Sequence, residues 1–224
     1  MRFPSIISAR ARLWAVWAAA VALVLATLAA LPRRAEPVAL SASNIALFQR
    51  DPGLCRAVLV GAGTEFEALP DFAGARGCGY RDAVKLSRAT YSAPLGASCA
   101  TTAALLLWER DVAAPAARRR YGQDLARIEF AAPAYQCRRI AGRSDGRLSE
   151  HASANAIDIQ GFTLADGRTV SVAEGWRGSR RDRGFLREVR DGACEHFQAV
   201  LSPDYNRAHR DHLHFDLGRD AMCR

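Results

Sequence analysis

The spacing of apolar residues changes along the chain, and each change predicts an element. From Ser98 to Ala113, the residues Ala104, Leu105 and Trp108 recur at three to four positions, which predicts a helix with Ser98 or Thr101 as its N-cap. Leu125–Phe130 reads as a strand. Ile157, Ile159 and Phe162 mark a second strand over Ala156–Leu164; the Asp166-Gly167 turn and the run Thr169–Val172 then close a β-hairpin. Phe185, Leu186, Val189, Ala193, Phe197 and Val200 return to helical spacing, so a helix is expected to run until Pro203 stops it. His212–Leu217 alternates polar and apolar residues and predicts a last strand. Upstream, Ala57–Val60 is a short apolar run, followed by a Gly-rich stretch through Gly79. Helices and strands mix without a βαβ rhythm or an internal repeat. The expectation is an α+β domain: an antiparallel sheet with flanking helices.

The first residues obey a different pattern. Leu13–Leu31 is an uncharged run of nineteen residues, preceded by Arg2, Arg10 and Arg12 and followed by Arg33 and Arg34. As a helix it spans roughly 28 Å, close to the thickness of a bilayer's hydrocarbon core. An uncleaved anchor accounts for that length and for Trp14 and Trp17 near one interface. A cleaved signal peptide ending near Ala29 or Ala30 is the other reading, although its apolar stretch is usually about 7–15 residues. Either way the domain is exported: to the periplasmic face of the inner membrane if anchored, or to the periplasm or medium if cleaved. The expected organisation is an anchor or signal over residues 1–34, a linker over 35–48 with Pro, Ala and Ser, and a domain over 49–224.

Composition supports this division. A chain of 224 residues that is 50% hydrophobic and 24% charged can build one globular domain, and it is neither polytopic nor disordered. The formal charge of +8 suggests nucleic acid, but residues 1–34 hold five arginines and no acid. The remainder carries 26 basic and 23 acidic residues, a balance of only +3, so no nucleic-acid partner is expected. Lys85 is the only lysine, a skew that fits nucleotide bias better than function. The triplet Arg118–Arg120 reads as a solvated helix-end or loop cluster, with an electrostatic contact to anionic lipid or wall polymer as the alternative.

The six cysteines, Cys55, Cys78, Cys99, Cys137, Cys194 and Cys223, are dispersed and form no CxxC pair. That argues against a zinc ribbon or thiol redox motif and for three disulfides in an oxidising compartment. Fifteen connectivities are possible. Pairing of sequence neighbours favours Cys55–Cys78, Cys99–Cys137 and Cys194–Cys223.

Four of the five histidines fall in two clusters, Ser149–Asp158 (SEHASANAID) and His209–Asp216 (HRDHLHFD). On a strand, His212, His214 and Asp216 share one face while Leu213, Phe215 and Leu217 enter the core. Asp158 lies between Ile157 and Ile159 and therefore presents its carboxylate on the polar face, where the HLH strand can lie beside it. Two imidazoles and one carboxylate leave a fourth coordination position open, the pattern of a catalytic zinc. His196, on the expected 185–200 helix, reads as an ordinary surface or half-buried histidine.

These residues carry a resemblance. S-x-H-x6-D followed downstream by H-x-x-H-x-H resembles the zinc-peptidase group of D-Ala-D-Ala carboxypeptidases, penicillin-insensitive murein endopeptidase and the hedgehog domain. More closely, CGY at Cys78–Tyr80, SEHASANAIDIQGF at Ser149–Phe162 and HRDHLHFDLG at His209–Gly218 resemble the bacterial extensin-like C-terminal family over roughly residues 45–224. The resemblance implies a hedgehog/D-Ala-D-Ala-peptidase-like fold and a Zn2+ site made by His151, Asp158 and His214. It also implies Asp211 as the acid that activates water, with His212 and His209 as supporting histidines. Glu150, beside a ligand, is the rival base. Arg138 and Arg139 match an arginine that grips a substrate carboxylate. The group's usual glycine after the first ligand is replaced here by Ala154 or Asn155.

The implied activity is metallopeptidase-like hydrolysis of peptidoglycan stem-peptide or cross-link bonds. The alternative is a non-catalytic, zinc-dependent wall-binding or structural module, which Asp211 disfavours because a structural site needs no base. A metal-dependent nuclease or deaminase lacks a basic groove and the deaminase cysteine signature.

Overall fold

The computed structural model describes residues 13–23, 38–140 and 146–224, and the chain divides into two units, 1–37 and 38–224. In the N-terminal unit, residues 13–23 are helical. The rest of the apolar run expected to anchor the chain lies outside the described residues, and none of the helices described is long and apolar enough to cross a membrane.

The second unit is mixed helix and sheet, as expected. Its helices are α1 (Ile45–Arg50), α2 (Pro52–Gly61), α3 (Cys99–Trp108), α4 (Ala114–Tyr121), α5 (Val172–Gly175) and α6 (Arg180–Ala193). The strands are β1 (Glu67–Ala68), β2 (Phe72–Ala73), β3 (Gly79–Tyr80), β4 (Ala83–Leu86), β5 (Leu95–Ser98), β6 (Leu125–Phe130), β7 (Ala156–Leu164), β8 (Thr169–Ser171), β9 (Ala199–Leu201), β10 (Leu213–Asp216) and β11 (Met222–Cys223). The largest sheet runs β11-β9-β10-β7-β6, with β8 paired to β7 beyond the end of β10. Its pairs are antiparallel except β11–β9. Two smaller sheets, β1-β4-β5 and β2-β3, complete the unit.

Helix α3 forms because Ser98 caps it, accepting from the Thr101 N–H, and its buried side chains, Leu105 and Trp108 among them, pack on the sheet. A π-helical turn over Glu109–Ala113 joins it to α4, widening just ahead of Pro115, which has no N–H for the ladder. Gly122, at φ 68°, ends the run. The Trp108 ring lies 5.2 Å from Phe215 on β10, and its indole N–H donates to the Val189 carbonyl on α6.

Strand β7 changes face midway. Ile157 and Ile159 point into the core, but so do Phe162 and Leu164. A register shift opposite Glu129/Phe130 leaves Gln160 as the extra residue and inverts the alternation. The bulge keeps both halves of the strand packed and leaves Asp158 on the face away from the core.

Several expectations are corrected. The stretch 35–48 is not wholly a linker: Ile45 and Phe48 are buried in the core from α1. The helix expected over Phe185–Val200 ends at Ala193; Val200 belongs to β9, since a buried central strand carries the same apolar residues as a helix face. The disulfides are Cys55–Cys99, Cys78–Cys137 and Cys194–Cys223, so only the last matches the neighbour pairing. The first joins α2 to the start of α3, and the second ties the CGY segment to the chain ahead of His151. There are no free cysteines among the described residues.

Candidate metal centre

The site is built where β7 and β10 lie side by side. Their antiparallel register sets His214 directly opposite Asp158, while Phe215 and Ile157 pair on the core face. His151 reaches the same point from a single 3-10 turn, Glu150–Ser153, that precedes β7. Ser149 caps that turn, and Ala154 ends it at φ 54° in the left-handed region. Ala154 therefore occupies the backbone conformation that glycine adopts most easily, which identifies it as the residue standing for the expected glycine.

The three side chains meet closely. His151 Nε2 lies 3.1 Å from Asp158 Oδ2, His214 Nδ1 lies 2.8 Å from Asp158 Oδ1, and the two ring nitrogens are 3.2 Å apart. Candidate ligand atoms of His151, Asp158 and His214 lie within 4.8 Å of one another, and all three residues are buried. The outward nitrogens are also held. His151 Nδ1 donates to the Ala134 carbonyl at 2.9 Å, and His214 Nε2 to Asp216 Oδ2 at 2.9 Å. Each ring thus turns its remaining nitrogen toward Asp158. A carbonyl or carboxylate behind a ligating imidazole is the usual support of a metal site, so the donor set fits a divalent ion.

The electrostatics agree. Burial opposes charge on Asp158, but hydrogen bonds from His151 and His214 outweigh it and hold the carboxyl well below the usual carboxylate range. Burial likewise opposes charge on His214, yet its bonds to Asp158 and Asp216 raise it to about 9 in the metal-free protein. The cluster favours a positive charge at its centre, supplied by a proton when no metal is bound.

Around this centre the other expected residues separate. His212 Nε2 lies 3.7 Å from Asp158 Oδ1. His209 stacks near both His212 and His214, at 5.2 and 5.7 Å between ring centres, and its Nδ1 meets Asn206 Oδ1. Burial, with the nearby His214 and His212 charges, pushes His209 down to about 4. Asp211 does not face the ligands: its Oδ1 lies 3.0 Å from His212 Nδ1, and its side chain lines a different depression with Gln160 and Gly161. Asp211 sits in the turn that leads into β10, and His212, the residue just before the strand, stands between it and Asp158. The pair forms a dyad in which Asp211 orients His212, and the His212 hydrogen bond in turn lowers the Asp211 carboxyl.

Arg138 lies 3.8 Å from Asp158 Oδ2 and lines the cavity over His214. Arg139 does not join it; its guanidinium donates to the Gly146 carbonyl. Glu150 borders the same cavity but is held by the Asn155 amide at 2.8 Å. His196 follows the end of α6, away from the cluster, and burial lowers its pKa. Arg118, Arg119 and Arg120 end α4 in surface pairs with Asp124 and Glu188. Sequence reasoning assigned no role to Ala134 or Asp216. For Asp216 the H-x-D alternation was the available signal; for a backbone carbonyl there was none.

The extensin-like protein C-terminus family matches residues 53–224. No curated protein and no solved structure matches the chain.

Proposed function

The chain belongs to the extensin-like protein C-terminus family, and we propose that its domain is an exported zinc-dependent hydrolase of peptidoglycan stem-peptide or cross-link bonds. The observation that carries the reading is the His151–Asp158–His214 cluster with the Asp211–His212 dyad beside it. Two imidazoles and one carboxylate are a donor set for zinc with one position left for water or substrate. A bound ion of this kind supplies Lewis acidity, polarising a carbonyl and making water a stronger acid.

The chain's own residues account for the rest. His212 accepts a proton at Nε2, because Asp211 holds its Nδ1–H and stabilises the imidazolium that forms. The same nitrogen returns the proton to the leaving amine. His209, kept neutral by burial, donates or accepts a hydrogen bond at the cavity mouth. Arg138 offers a guanidinium to a substrate carboxylate, such as the terminus of a stem peptide. Three disulfides support an oxidising compartment, and the apolar N-terminal segment supports attachment to the inner membrane.

The deciding experiment incubates the purified full-length protein with intact sacculi, with and without zinc, and separates the released muropeptides. Zinc-dependent release supports the reading. No release from cross-linked or uncross-linked wall would replace it with a zinc-dependent wall-binding module.

A further inference from the structure

The CGY segment takes no part in the metal cluster, yet it shapes a second cleft. That cleft is walled by Phe72, Tyr80, Arg81, Asp82, Ser98 and Asn155. It shares Gln49 and Asn155 with a shallow trough, and the trough shares Glu150, Gly218 and Arg219 with the cavity over His214. Through these shared residues the three depressions adjoin in series, an uneven groove from the cavity over His214 to the β2–β3 hairpin.

The far end of the groove is aromatic. Phe72, Tyr80 and Tyr135 pack as a trio with ring centres 5.3 to 5.7 Å apart, and Phe72 keeps 44% of its surface exposed. The trio depends on Gly79, whose φ of 139° and position beside the Phe72 carbonyl leave no room for a side chain; a Cβ would lie 2.2 Å from that oxygen. Cys78 then ties the hairpin to Cys137, in the segment whose Ala134 carbonyl holds His151. The aromatic end and the metal end are thus fixed to one strap of chain.

The lining selects a ligand. Arg81 and Asp82 balance each other, so a phosphate polymer finds no net positive track. A wholly apolar ligand would cover both charges without giving them partners. A pyranose ring has an apolar C–H face for an aromatic ring and a rim of hydroxyl and amide groups for polar walls. We propose that the groove seats a strand of β-linked N-acetylated aminosugar on Phe72 and Tyr80, with a peptide substituent led past Glu150 to the metal centre. This rests on the reading of the site as one that acts on peptidoglycan, and it assigns the CGY segment a part in substrate binding.

The test is calorimetric titration of full-length protein, zinc-loaded and zinc-stripped, with chitotetraose and with glycan strands freed of peptide. Both forms of the protein are expected to bind. Phe72→Ala should weaken binding roughly tenfold, the scale of losing one aromatic face, without changing zinc content. Arg81→Ala, at an exposed position, should weaken it as well and serves if Phe72→Ala folds poorly. Absence of binding by the wild type, or equal binding by both variants and the wild type, overturns the proposal. Sugar binding without muropeptide release would leave the groove standing and remove the hydrolase; release without sugar binding would remove the groove alone.

Discussion

Asp216 stands directly behind His214: its Oδ2 accepts from His214 Nε2 at 2.9 Å while its Oδ1 accepts the Gly218 N–H at 2.7 Å. Both carboxylate oxygens are occupied, so the imidazole is fixed in rotation and in tautomer. Asp216→Asn, which keeps the shape and loses the charge, should lower metal affinity about 10–100-fold. Chelator competition measures this directly, and an affinity equal to the wild type would show that Asp216 does not position the ring.

As the candidate ligands of the proposed site, His151, Asp158 and His214 leave no redundancy. Zinc at a hundredfold excess over its Kd should stabilise the domain by about 3 kcal/mol, a rise of roughly 5–10 °C in Tm. Asp158→Ala should abolish both the shift and the bound metal. Stoichiometric zinc in that variant by elemental analysis would remove Asp158 from the site.

The Asp211–His212 dyad predicts a graded pair of variants. His212→Ala should retain zinc and lose turnover by roughly 10²–10⁴-fold, the range for a missing general base. Asp211→Asn should lose less, because it disturbs only the orientation of His212. A larger loss in Asp211→Asn than in His212→Ala would make the aspartate itself the base.

The buried cluster gives the metal-free domain a pH dependence whose sign follows from the shifts. His214, raised from an unfolded value near 6.5 to about 9, adds stability below 6.5 that fades as pH rises through 9. Asp158, lowered from near 3.9 by its histidine partners once burial is overcome, adds stability above 3.9 that is lost as pH falls further. Metal must displace the proton of His214, so affinity should rise about tenfold per pH unit between 7 and 8.5, with about one proton released. Calorimetry in buffers of differing ionisation enthalpy reads that proton; none released would contradict the assignment.

Cys78–Cys137 closes a separation of 59 residues and fastens the strap that carries Ala134 and Arg138. Replacing both cysteines by serine should cost about 4 kcal/mol and should also weaken metal binding. Removing Cys194–Cys223, on the far edge of the sheet, should cost stability with little change in metal affinity. Thermal unfolding and chelator competition on the two double variants separate these outcomes.

The sequence by itself determined what is local or periodic. The alternation of His212–Leu217 put His214 and Asp216 on one face, Ile157 and Ile159 marked Asp158 as the polar position between them, and Ser98 and Thr101 were the two N-cap candidates from which the structure selects Ser98. What faces what was left to the tertiary structure. The cysteine spacing did not reveal that α2 meets the start of α3, so Cys55 pairs with Cys99 across 44 residues. The apolar spacing from Phe185 to Val200 did not distinguish the end of a helix from a buried strand, because both satisfy the same core. The family resemblance pointed to Asp211 as the acid that activates water, but the turn ahead of β10 sets its carboxylate against His212 Nδ1. The tautomer of His151 depends on the Ala134 carbonyl, and a backbone oxygen carries no side-chain signature. Side-chain identity encodes which groups can do chemistry; strand register, disulfide pairing and the Gln160 bulge decide which of them meet.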